Sequence, residues 1–208
     1  RIAPRSVLHL HGGVTPPESD GHPHATLMPG ESFVHRFPNR QEAACLWYHD
    51  HAMGITRLNA YAGLASLYVV RDAWDTGRVD NPLGLPAGEL EVPLVLQEKV
   101  FDKDGYVQVR TTPVVPQGSW EGGGAGDVGV VNGVVWPDMR VARGLYRFRV
   151  VNAGSLSVWN LFFSNHMRFW VIGNDAGLLD APVPTTVLRI SPGERADVLV
   201  DFSRLSAG

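Results

Sequence analysis

Val7-Leu8-His9-Leu10-His11-Gly12-Gly13 and Leu46-Trp47-Tyr48-His49-Asp50-His51 decide how this chain reads. Each stretch places two histidines at i and i+2, and in an extended strand such side chains share one face, roughly 7 Å apart. Leu8 and Leu10 alternate onto the opposite face, where a β domain places its core. Four imidazoles in two parallel rows make a metal-site array on the outer side of a sheet. A half-open cluster of this kind would hold a metal loosely, so a further body of protein is expected to close over it.

Composition bounds what surrounds these strands. The 208 residues suffice for one large domain or two modest ones. The 23 Gly and 15 Pro are spread along the chain, which favours a loop-rich β protein over a disordered or collagen-like one. A net charge of -3 gives no electrostatic reason to expect nucleic acid or an anionic membrane as partner. No apolar run approaches the roughly 18 to 20 residues that span a bilayer. The single cysteine, Cys45, allows no intrachain disulfide. The chain lacks a starting Met and a signal pattern and enters almost at once on a histidine strand, which suggests a piece of a longer protein.

The order of elements follows from turn chemistry. Thr15 to His24 carries too much Pro and Gly for a regular element, and the Pro29-Gly30-Glu31 turn opens an expected strand at Ser32 to Phe37. An irregular or briefly helical stretch is expected at Ala52 to Ala62, followed by a strand from Leu64 to Val70. Residues 72–90, rich in Asp, Gly, Pro and Asn, read as a linker. A second all-β unit starts at Val92 to Gln97, with a hairpin at Asn132-Gly133 between apolar runs. Further strands are expected at Leu145 to Asn152, Val158 to Phe163, Arg168 to Ile172, Thr186 to Ile190 and Ala196 to Phe202. Pro192-Gly193-Glu194 echoes the earlier Pro-Gly-Glu turn, which leans toward two similar units. Many short strands with regular turn signals point to an all-β protein of Greek-key sandwiches or barrels.

His9-Leu-His11-Gly-Gly and Trp47-Tyr-His49-Asp-His51-Ala-Met53 resemble the first two copper motifs of the multicopper oxidases, in the branch of bacterial laccases, spore-coat laccases and bilirubin oxidases. Thr56 to Gly63, Val131 to Pro137, Tyr146 to Ala153 and Ser191 to Asp197 are similar to that branch as well, the last three to its middle domain. The resemblance implies cupredoxin-like Greek-key domains. Residues 1–71 would be the C-terminal part of a first domain, 72–90 a linker, and 91–208 a middle domain without copper ligands. By position, His9 matches the type 2 copper ligand, while His11, His49 and His51 match type 3 ligands. Imidazole suits copper, and carboxylate-poor surroundings argue against magnesium or calcium. In such enzymes the cluster reduces dioxygen to water with electrons from a type 1 copper that oxidises a small reducing substrate. The family's HxxHxH and HCH motifs, with the trailing His and axial Met, are absent from these 208 residues. A third cupredoxin domain is therefore the expected partner, and this chain alone should show little oxidase activity. The family's bias toward secreted, periplasmic or cell-envelope locations is the only pointer to where it works.

Other residues are weighed against plainer roles. Asp20, in the loop after the first motif, matches an acidic residue near the type 2 copper and is expected to relay protons; a surface-loop carboxylate is the plain alternative. Cys45 has no flanking His, as a blue-copper site would require, and reads as a small buried strand residue. His22, His24, His35 and His166 read as solvated or hydrogen-bonded histidines. Asp50 points away from the histidine row and suits a structural hydrogen bond, while Trp47 shares the histidine face and can pack there. Two other functions compete. A cupin-like mononuclear metal enzyme would use His9-x-His11 and Glu18, but that acid is badly spaced and the second HxH unexplained. A copper-binding or scaffold relative without electron transfer would share every motif present.

Overall fold

A computed structural model describes residues 3–109 and 126–205. The histidine strands lie in a three-stranded antiparallel sheet of order β1 (Leu8–His11), β2 (Ala44–Asp50) and β3 (Ala65–Val70). Leu10, Ala44, Leu46 and Val70 pack together on one face of it, and Leu46 is fully buried. A single short helix, α1 (Thr56–Ala62), connects β2 to β3 and is the briefly helical stretch expected there.

The second unit is built on β4 (Glu91–Phe101), β5 (Val107–Gln108), β6 (Val128–Val131), β7 (Val134–Val135), β8 (Leu145–Asn152), β9 (Trp159–Phe162), β10 (Phe169–Asn174), β11 (Gly177–Thr185), β12 (Val187–Ile190) and β13 (Arg195–Asp201). Its main sheet runs β11-β10-β13-β8-β4-β6-β7, with β5 paired to β4, while β9 and β12 form a separate pair. Among the described residues, only β4 and β8 pair in parallel. Tyr146, Phe148 and Val150 alternate from β8 into a core shared with Leu96, Val198 and Phe202. Asn132 and Gly133 both take positive φ, 50° and 82°, as a two-residue hairpin turn of the primed type requires. Among the described residues, no helix is long and apolar enough to cross a membrane.

One strand expectation needs correction. Ser32 to Phe37 forms no strand: His35 Nδ1 donates to the Ser19 carbonyl at 2.8 Å, and the Arg36 amide donates to Ser19 Oγ at 3.0 Å. The segment braces the Thr15–His24 loop instead of joining a ladder. Conversely, β11 forms although Pro182 and Pro184 interrupt its pattern. It sits at the sheet edge, where missing amide donors leave no neighbour unsatisfied.

The two Pro-Gly-Glu turns are one local device used twice. Gly30 and Gly193 take φ of 94° and 85°, and each Glu reaches back, Glu31 to the Met28 amide (2.8 Å) and Glu194 to the Ser191 amide (2.6 Å). Only the second leads directly into a ladder strand, β13.

Residues 72–90 are ordered by charge. Asp75, 1% exposed, receives Arg147 through two hydrogen bonds (2.9 and 2.6 Å) and Arg149 at 2.7 Å. Arg71, Glu91 and Asp197 complete a network of three acids and three guanidinium groups. Elsewhere the units meet where Trp47 packs with Val151 and Ala153, and where Gln97 Nε2 and Lys99 Nζ donate to the carbonyls of Ala60 and Tyr61 at the end of α1.

Candidate metal centre

Strand register assembles the histidines. His9 lies opposite His49 and His11 opposite Trp47, and the His51 amide continues the ladder by donating to the Val7 carbonyl at 2.9 Å. Ring centroids stand 4.8 Å apart for His9 and His51, 5.4 Å for His9 and His49, 5.5 Å for His11 and His49, and 5.7 Å for His9 and His11. One ring nitrogen each from His9, His11 and His49 falls within a common 4.8 Å span.

Backbone carbonyls fix the tautomers of two rings. His9 Nδ1 lies 2.6 Å from the Asp20 carbonyl and His49 Nδ1 lies 2.7 Å from the Asp50 carbonyl. A carbonyl can only accept, so both Nδ1 atoms carry the proton and both Nε2 atoms are left as acceptors, the form in which histidines bind a metal. His49 Nε2 is 3.3 Å from His11 Nδ1. Two imidazole nitrogens sharing one ion at ~2.0 Å each stand about 3.3 Å apart at a tetrahedral angle. His51 Nδ1 is buried without a hydrogen-bond partner among the described residues. An all-imidazole set of this kind suits copper, zinc, iron or nickel, so the residues present fit a transition metal.

Burial disfavours the charged form of His11, His49 and His51. Burial, then the positive charge of Arg195 and the neighbouring His49 and His9, push the His11 imidazole down to about 4. Burial lowers His49 also, against the opposing hydrogen bond to the Asp50 backbone, and burial followed by His9 lowers His51. Neutral imidazole is the form that ligates metal.

Each ring has a physical support. Gly21 lets the loop lie against β1: its φ is 77°, and a Cβ there would stand 2.1 Å from the Leu8 carbonyl oxygen. That close approach brings the Asp20 carbonyl onto His9. The Asp20 carboxylate also lies 3.3 Å from His9 Nδ1, with its side chain 45% exposed. Asp50 accepts the Val7 amide (2.9 Å) and the Ala52 amide (3.1 Å), tying β1 to the end of β2 in the structural role expected of it. Trp47 packs on His49 and His11 with ring centroids at 4.4 and 5.2 Å. The histidine face is thus less outward than its alternation suggests, because the second unit covers Trp47 and His49 is itself buried.

The other histidines stay outside this cluster. His22 and His24 are exposed in the loop, their rings 5.7 Å apart, and His35 stacks with Phe37. Cys45 is buried, and burial raises its thiol to about 11, far from a reactive thiolate. Sequence reasoning missed Gly21 and Arg195, the latter reaching the Cys45 carbonyl from the second unit at 3.2 Å. Arg195 lies in the Pro-Gly-Glu-Arg stretch, whose turn was legible but whose reach across units was not.

Two family models described as multicopper oxidase match residues 1–74 and 112–207. A laccase of Bacillus stratosphericus is 40% identical over 96% of this chain and 41% of its own length. Among solved structures, the laccase of Pediococcus acidilactici superposes with a TM-score of 0.86 at 30% identity, over 100% of this chain and 43% of that one. The 2F4 variant of the McoA multicopper oxidase from Aquifex aeolicus gives 0.82 at 33% identity, over 98% and 44%. This chain therefore spans about two fifths of the length of these relatives.

Proposed function

Because the chain belongs to the multicopper oxidase family, we propose that it supplies half of the ligands of a trinuclear copper cluster in a larger, laccase-like oxidase. That oxidase couples one-electron oxidation of a small reducing substrate to four-electron reduction of dioxygen to water. His9 is assigned to the type 2 copper, and His11, His49 and His51 to the type 3 pair. Residues 1–71 and 91–208 are assigned to a first and a middle cupredoxin-like domain joined through 72–90. The remaining cluster ligands and the type 1 site belong to a third cupredoxin domain. The observation that carries this reading is the convergence of ring nitrogens from His9, His11 and His49 within 4.8 Å, with the His51 ring beside His9 and the His9 and His49 Nε2 atoms left as acceptors by backbone carbonyls.

Bound copper would supply the redox centres that pass the substrate's electrons on, and the affinity for dioxygen. The protein's own groups orient and insulate. The Asp20 and Asp50 carbonyls hold two rings in their ligating tautomer, and Trp47 excludes water from the side facing the second unit. Asp20, half-exposed and 3.3 Å from His9, joins the cluster to solvent and is assigned as the proton relay.

Substitution in the full-length oxidase tests each assignment. His11→Ala or His49→Ala is expected to abolish dioxygen consumption while the blue absorption of the type 1 copper survives. Loss of the blue band together with activity contradicts the assignment. Asp20→Asn is expected to slow turnover and displace its pH profile, and an unchanged profile removes Asp20 from the proton path.

A further inference from the structure

We propose that Arg195 is a positioning residue of the copper half-site, pinning from the second unit both the turn after His11 and the strand that carries His49. The proposal rests on the reading above.

Its side chain is 4% exposed and forks between three segments. Nε donates to the Cys45 carbonyl on β2 at 3.2 Å, Nη1 to the Gly193 carbonyl at 2.9 Å, and Nη2 to the Asp175 carbonyl at 3.0 Å. The Asp175 carboxylate, half-exposed, sits 3.3 Å from Nη1 and also accepts the Arg195 amide at 2.7 Å. On the other side, Nη2 occupies space beside Gly12: a Cβ on that glycine would stand 2.5 Å away. Gly12 follows His11 directly, and its φ of 84° is the left-handed conformation that favours glycine. The Gly193 turn faces the same ring, an added Cβ there lying 3.8 Å from His11 Cε1 and 3.9 Å from Trp47 Cζ2.

A guanidinium desolvated against carbonyls and one half-exposed carboxylate is a poor way to maximise stability. Its return here is geometric. A planar fork fixes three carbonyls at once, whereas a lysine ammonium brings the same charge as a single compact donor and cannot span them. Arg195 therefore holds β2 by a hydrogen bond and packs against the His11 turn from outside their own sheet. Loosening it would let His11 Nδ1 and His49 Nε2 drift from their 3.3 Å separation.

The test uses the full-length, copper-loaded oxidase with Arg195→Lys and Arg195→Met. Copper affinity of the cluster is read by chelator competition, its ligand geometry by the near-ultraviolet absorption of the coupled type 3 pair, and the fold by unfolding temperature of the metal-free protein. Both variants are expected to hold cluster copper about tenfold or more weakly and to shift or lose that near-ultraviolet band. The blue absorption and the metal-free unfolding temperature of Arg195→Lys should stay near wild type. Wild-type affinity and spectrum in Arg195→Lys overturn the proposal, since charge alone then suffices. A fall in unfolding temperature with unchanged copper affinity overturns it too, as does failure of both variants to fold, because Arg195 would then serve the fold as a whole. A wild-type protein that holds no copper at these histidines defeats the family-based reading itself, a result distinct from tight copper in the variants.

Discussion

His9 on β1 and His49 on β2 face each other across one rung of the ladder, ring centroids 5.4 Å apart, and each gives its Nδ1 proton to a backbone carbonyl. The two carbonyls belong to Asp20 and Asp50, so a loop and a strand end set the ring orientations before any ion arrives. Such preorganisation keeps the ligands in place without help from the metal.

The loop half of that arrangement depends on Gly21. Gly21→Ala would add a Cβ 2.1 Å from the Leu8 carbonyl at a φ of 77°, so the loop must withdraw and take the Asp20 carbonyl from His9. The expected result is a loss of about 1–3 kcal/mol of stability together with weaker copper retention. Chemical denaturation and metal content check it, and a variant matching wild type in both removes Gly21 from the account.

The strand half depends on what lies behind the histidines. Leu46 is fully buried on β2 beside Leu10, Ala44 and Val70, so Leu46→Ala should cost about 2–5 kcal/mol. Val187→Ala, at an exposed position on β12, should stay within about 0.5 kcal/mol. Urea midpoints that fail to separate these variants contradict the assigned core.

Acid should loosen the connection between units through Asp75. Burial would raise its carboxyl, but hydrogen bonds and charge from Arg147 and Arg149 outweigh that and hold it well below the usual carboxylate range. Burial likewise opposes ionisation of Glu91, and Arg71 and Arg149 reverse it. A carboxyl with a lowered folded pKa contributes stability fully above its unfolded value, about 4, and loses it as pH falls toward the folded value. Asp75→Asn should therefore cost about 3–5 kcal/mol near neutral pH, and its stability curve should approach wild type as pH drops below about 4. Parallel curves across that range rule out the assigned role of the network.

The parts legible in the sequence are those governed by period and turn chemistry. His9-x-His11 and His49-x-His51 lie on one face because strand side chains alternate, and the Asn132-Gly133 hairpin follows from the positive φ both residues adopt. What stayed hidden is set by partners far along the chain. Asp75 looks like linker composition, yet two of its ion-pair partners, Arg147 and Arg149, lie 72 and 74 residues away. Arg195 meets the Cys45 carbonyl across 150 residues. Ser32 to Phe37 alternates like a strand, but Ser19 takes its polar groups, and β11 carries prolines that only an edge position tolerates.

The most direct test is to locate copper in crystals of the full-length oxidase by anomalous diffraction at the copper edge. The account predicts copper within bonding distance of ring nitrogens from His9, His11, His49 and His51. Copper peaks elsewhere, with these four imidazoles bonded only to protein or water, would contradict it.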